Sequence, residues 1–165
     1  MVFKSHPLTP PDAAAVKILE KDVQRLLETN SCEQCNLREA NFRNADLKYA
    51  NLSRADLRGA DLRGADLRAA DFDYANIDGS NLSGANLSHG YLTDVNLSSA
   101  LLRGSNLSGV DLSYSNLTGV VLTGIDLTNA NLSGVDLSGK DLTGTILTEA
   151  DLTNANLSGV DLSHS

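Results

Sequence analysis

From Leu37 to Leu162 an apolar residue returns at every fifth position, with no insertion or deletion. All twenty-six of these positions are Leu except Phe42, Phe72 and Ile77. The repeat is plainest over residues 56–68, where Asp-Leu-Arg-Gly-Ala recurs unbroken. Centred on the apolar residue it reads Ala, Asp/Asn, Leu, polar, Gly. Short internal periods signal a solenoid, in which each repeat buries its face on the next. Aromatic residues make up only 4% of the chain and Trp is absent. An ordinary globular core is therefore excluded, and the geometry must stack Leu and Ala.

Two columns of the repeat stay uncharged over most of the chain: the central residue and the small residue two before it. Both should point inward, and the second is Ala, Ser or Val because the cross-section leaves little room. The other three positions face solvent. Gly in the last of them suits the positive φ of a corner.

The length of 165 residues suits one domain. The net charge of −8 argues against direct nucleic-acid binding, which needs a basic stripe. That charge is unevenly spread: residues 1–35 carry 4 basic and 5 acidic side chains, residues 36–70 carry 7 and 5, and residues 71–165 carry 2 and 11. No apolar run approaches the roughly 18–20 residues of a membrane span. Met1–Lys4 is not followed by a signal-peptide core, so the expected location is cytoplasmic, or periplasmic or lumenal if Cys32 and Cys35 are oxidised in vivo.

Residues 1–9 show no period and read as a loose lead-in. Thr9, Pro10, Pro11 and Asp12 look like a helix start, placing a helix over residues 10–30. Val16, Leu19, Val23, Leu26 and Leu27 fall on its apolar face. Beside a solenoid, such a helix is expected to cover the first coil, with a partner-binding helix as the alternative. Residues 31–35 form a junction carrying Cys32 and Cys35, and the repeats fill 36–165. With no second CxxC and no nearby His, the cysteines read as a disulfide clip, as two free thiols, or as metal or redox chemistry. Cys35 also sits in the small inward column.

The Ala-Asp-Leu-Arg-Gly unit resembles the pentapeptide-repeat family, whose consensus is A(D/N)LXX, over residues 35–164. The resemblance implies an all-β solenoid: a right-handed quadrilateral parallel β-helix with four repeats per twenty-residue coil. About six and a half coils at roughly 4.8 Å each give a rod of about 30 Å. Very regular members with a short N-terminal helix and CxxC resemble cyanobacterial proteins of unknown function. Other members, the quinolone-resistance proteins, are acidic rods that mimic DNA on gyrase.

A twenty-residue coil places departures from consensus on faces. Arg38 stacks over Arg58, Arg43 over Arg63, and Lys48 over Arg68, a basic collar interleaved with Asp46, Asp56, Asp61 and Asp66. It reads as a solvated, salt-bridged ring, with a small-anion or acidic-partner site as the alternative. Tyr91, Leu101, Val121 and Ile146 stand where Asp or Asn is expected. Together with Arg103 these four form the candidate interaction patch, centred on Leu101 stacked over Val121, with scattered surface hydrophobes of no role as the alternative. Lys140 violates the inward column, so a bulge or a stem snorkelling to solvent or Asp141 is expected. The chain closes without a capping element, and some family members dimerise end to end, so a homodimer through the C-terminal coil is the expected assembly unless that end is a fragment boundary.

No catalytic, metal or cofactor constellation emerges. His6, His89 and His164 are dispersed, the Ser, Thr and Asp residues belong to the repeat, and no phosphate-binding glycine loop is present. The function expected is a non-enzymatic scaffold contacting an unidentified protein partner, with a gyrase-binding DNA mimic as the alternative.

Overall fold

The computed structural model describes residues 13–162. The helix start expected at Thr9–Asp12, together with His6 and His164, lies outside them. One helix, α1 (Ala13–Thr29), precedes the repeats. It ends where Asn30 turns into the left-handed region (φ 55°), its N–H donating to Leu26 O at 2.8 Å.

After α1 the chain winds as a parallel β-solenoid whose bridges all step by twenty residues: Asn36 to Asp56, Asp56 to Asn76, Asn76 to Asn96. Three backbone hydrogen bonds per side tie adjacent coils, as when Leu57 N–H donates to Asn76 O at 2.8 Å, Gly59 N–H to Asp78 O at 3.0 Å and Asp56 N–H to Cys35 O at 2.9 Å. Inside each coil the small residue closes a tight turn, as Ala60 N–H does on Leu57 O at 2.9 Å. The ladder begins one repeat earlier than the boundary expected at residue 36. Ser31 already bridges Asn51, and Cys32 fills the central inward column, fully buried.

Every fifth residue from Gln34 to Gly159 turns with φ between +53° and +73°, whether or not it is glycine. The corner is thus imposed by the ladder. Glycine lowers its conformational cost but is not required for it. Space decides the matter at Gly109 and Gly134, where a Cβ would come within 2.5 Å of His89 Nδ1 and of the Tyr114 ring.

The inward Leu and Ala columns form one continuous core from Leu26 and Cys32 to Leu142. α1 packs Leu19, Val23 and Leu26 onto its N-terminal end, while Leu27, expected on that face, is 60% exposed. The Asp22 carboxylate accepts from Asn36 N–H at 2.8 Å, supplying the acceptor that a preceding coil gives elsewhere. Helix and first coil are matched in both apolar surface and hydrogen bonds.

Candidate functional site

The Asp/Asn column has a local purpose. Its side-chain oxygen accepts the N–H two residues on, as Asn41 does from Arg43 at 3.1 Å and Asp111 from Ser113 at 2.9 Å. These Asx turns stiffen each side of the square.

In the collar the same carboxylate also chelates the arginine. Asp61 receives Arg63 N–H at 3.2 Å, Nε at 2.8 Å and Nη2 at 2.5 Å. Asp56 with Arg58 and Asp66 with Arg68 repeat the arrangement. The hydrogen bond from Arg63 holds Asp61 well below the usual carboxylate range, at about 2. Asp56 and Asp66 are lowered for the same first reason. Arg38 lies 3.7 Å from Asp56, and Lys48 lies 3.0 Å from Asp46. Arg43 forms no ion pair among the described residues but adds to the lowering at Asp61. Arg54, outside the expected set, lies over the Tyr74 ring at 5.7 Å. Five of the six collar cations are therefore engaged by carboxylates of the rod itself.

The candidate patch is partly assembled. Leu101, Arg103 and Val121 line one cleft of about 370 Å³ together with Ala100, Leu102, Gly119, Thr123 and Ile125. Leu101 is 54% exposed and Val121 70%. Tyr91 and Ile146 are exposed on two other sides of the square, in ladders with Asp71 and with Asp126, so the four substituted positions do not form one surface.

At this cleft the coils part. Leu82 N–H donates to Leu101 O at 2.8 Å and Gly84 N–H to Arg103 O at 3.0 Å. Among the described residues, the next step has no such bonds from Leu102 to Val121 or from Gly104 to Thr123, and Leu101 and Val121 form no bridge. The cause lies inside. The inward column is Ala through residues 40–75, then swells to Val110, Val120 and Ile125, and then meets Lys140 and Thr145. Larger residues in a filled square overpack it, and the side on which the ladder fails, from Leu101 to Val121, is the one flanked inside by both Val120 and Ile125.

Lys140 does not take the path expected for it. Its ammonium forms no ion pair with Asp141, and the side chain stays half-buried. Nζ donates inward to Leu117 O at 2.8 Å and Val120 O at 3.1 Å. Val120 O would otherwise accept the Asp141 N–H, a ladder bond absent here. Burial lowers the Lys140 pKa, and Asp136 opposes that shift. Thr145 and Ser115 act alike, donating to Leu122 O and Leu92 O. Lys140 also lines a second, polar cleft of about 280 Å³ with Asp136 and Ser138, sharing Gly119 with the first.

Cys32 and Cys35 are joined by a disulfide, with Cα atoms 5.2 Å apart. Among the described residues no group of three His, Cys, Asp or Glu side chains could hold a metal, and no helix is long and apolar enough to cross a membrane. Sequence reasoning missed the parting of the coils. The swelling of the inward column after Val95 was its signal.

Comparisons with known proteins agree with the geometry. The family model for pentapeptide repeats matches in eight copies over residues 31–64, 50–88, 91–129 and 125–163. No curated protein matches. A pentapeptide repeat protein from the Arabidopsis thaliana thylakoid lumen superposes with TM-score 0.57 at 27% identity, covering 62% of this chain and 69% of its own. The pentapeptide repeat protein Rfr23 from the cyanobacterium Cyanothece 51142 gives 0.51 at 25% identity, covering 87% and 96%. The plasmid-mediated fluoroquinolone resistance protein QnrB1 gives only 0.27 at 25% identity, over 81% and 68%.

Proposed function

The chain belongs to the pentapeptide-repeat family, and from that premise we propose that it is a non-enzymatic scaffold that holds a protein partner against the side of the rod bearing Leu101 and Val121. The fold is the family's right-handed quadrilateral β-helix, here of roughly six and a half coils at the twenty-residue step. The observation that carries the reading is the apolar cleft of about 370 Å³ between parted coils. Apart from Tyr91 and Ile146, the Asp/Asn column elsewhere covers the sides of the square with polar groups, many of them accepting from their own backbone as Asn41 and Asp111 do. Apolar side chains left in water around a concavity are what an interface uses. The basic collar is a weaker candidate, because five of its cations already hold carboxylates.

The test is capture from native lysate by immobilised wild type beside the Leu101→Asp/Val121→Asp variant, with circular dichroism to show that both fold. Partners retained by wild type and lost by the variant are expected. Identical retention by both refutes the surface.

The charge of residues 71–165, with 11 acidic and 2 basic side chains, favours a second reading, a DNA mimic that binds gyrase. It predicts inhibition of supercoiling, abolished by charge reversal at Asp111, Asp126 and Asp136. Unaltered supercoiling at saturating protein removes it.

The Cys32–Cys35 disulfide supports work in an oxidising compartment, and the lumenal source of one similar structure is consistent with that. Mass spectrometry of the alkylated native protein tests it: two alkylated thiols would place the chain in a reducing compartment.

A further inference from the structure

We propose that the cleft beside Leu101 receives the carboxyl terminus of a partner chain ending in an apolar residue, an inference that rests on the scaffold reading and names its partner's chemistry. The collar provides the template. Three times there, a carboxylate two residues before an arginine accepts that arginine's N–H, Nε and Nη2: Asp56 with Arg58, Asp61 with Arg63, and Asp66 with Arg68. Arg103 occupies the same place in its repeat, directly after the central Leu102, but the carboxylate position is Leu101. Among the described residues, Arg103 forms no ion pair and its N–H has no acceptor. The rod thus carries three complete arginine–carboxylate chelates, while Arg103, like Arg43 in the collar, has no ion pair among the described residues, and Arg103 borders the apolar cleft.

The neighbouring backbone adds donors. In the preceding coil the N–H groups of Leu82 and Gly84 point along the rod to Leu101 O and Arg103 O. Their equivalents, Leu102 and Gly104, lack the corresponding acceptors because the coils part there. A guanidinium with backbone N–H groups beside it is a carboxylate-binding set.

An exposed arginine alone holds a carboxylate weakly. Here it borders an apolar wall of Leu101, Leu102, Val121 and Ile125 around about 370 Å³, room for an aliphatic side chain. In a terminal residue the carboxylate and the side chain leave the same Cα, which matches an arginine and an apolar cleft that share one wall. Charge gives selectivity. Arg103 and Lys140 are the two cations among the 13 charged side chains of residues 71–165, and the Lys140 ammonium is bound to Leu117 O and Val120 O. The rest of that half repels a carboxylate, so Arg103 is where one settles.

The probe is a fluorescein-labelled Gly-Ser hexapeptide ending in leucine with a free carboxylate, titrated with the full chain by fluorescence anisotropy. Its C-terminal amide and an amidated analogue with an internal aspartate beside the leucine are run in parallel. Amidation, or Arg103→Gln, should each weaken binding by about tenfold or more, the size of one lost charge-assisted hydrogen bond. Leu101→Asp should abolish binding, because it supplies the missing carboxylate in cis. Equal binding of acid and amide, no effect of Arg103→Gln, or no binding of the acid at millimolar protein would each overturn the proposal. Tight binding of the internal-aspartate peptide would overturn the terminal assignment. The scaffold reading is judged separately: if Leu101→Asp/Val121→Asp strips native partners but the free-acid peptide does not compete for them, only the partner's chemistry is wrong.

Discussion

Residues 51–70 and residues 101–125 are written in the same five-residue code and end up in different mechanical states. In the first stretch the inward column is Ala55, Ala60, Ala65 and Ala70, the ladder to the next coil is complete, and every arginine that follows a central Leu has its carboxylate. In the second the column holds Ser105, Val110, Ser115, Val120 and Ile125, the ladder is broken beside Val121, and Arg103 has none. The outward code sets local turns, but the volume of the inward column decides whether two coils close. A few methylene groups inside thus make a cleft outside.

The same truncation in both stretches should break or sharpen that contrast. Leu62 and Leu117 are both central and buried. Leu62→Ala leaves a cavity in a closed square and is expected to cost about 3 kcal/mol, whereas parted coils can settle into the space left by Leu117→Ala, for about half of that. Chemical denaturation measures both. Equal losses would mean that the parted region is as tightly packed as the closed one.

Next in size is Lys140→Ala. Removing a partly buried ammonium and its bulk should let Asp141 N–H reach Val120 O, with a gain of about 1 kcal/mol. Hydrogen exchange at the Asp141 amide should slow. Because burial lowers the Lys140 pKa in the fold, the unfolded lysine binds its proton more tightly. The wild-type deficit relative to the variant should therefore shrink as pH rises through the alkaline range. A variant less stable than wild type would show that the two carbonyl contacts outweigh the desolvation.

Much of this was legible in the sequence, and the reason is periodicity. Twenty-six uninterrupted centres leave one way to stack Leu37 to Leu162, and the twenty-residue coil puts Leu101, Val121 and Arg103 together. Tyr91 and Ile146 share a substitution type with Leu101 but not its side of the rod, so type alone misgrouped them. Lys140 was legible as a violation and illegible as a solution. Its direction depends on which carbonyls the parted coils leave open, a consequence of summed volumes in Val120, Ile125 and Thr145 that no single residue announces. Asp and Asn were recognised as the outward column, yet their Asx bonds, and the loss of that bond at Arg103, appear only once the corner geometry is known.

The smallest effect separates two ways of stabilising the same column. In the collar, the bond from the Arg63 side chain is the first cause of the lowered Asp61 pKa, at about 2. At Asp126, Asp136, Asp141 and Asp151 the first cause is a hydroxyl, from Thr128, Ser138, Thr143 and Thr153. In both sets the folded pKa lies below the ordinary value. The stabilisation is therefore complete above the ordinary aspartate range and is lost as pH falls through the folded value. The two causes differ in their response to salt. Molar salt shortens the screening length to about 3 Å and weakens exposed ion pairs, while neutral hydroxyl bonds are little changed. Carboxyl-carbon NMR titration should show Asp61 moving up toward the ordinary range in salt, and further in Arg63→Gln, with Asp141 and Asp151 unmoved by either. An Asp61 midpoint unaffected by Arg63→Gln would mean that its backbone Asx bond does the holding. The collar and the hydroxyl-lined half would then be one kind of surface, and the chelates of the collar would be no model for a carboxylate at Arg103.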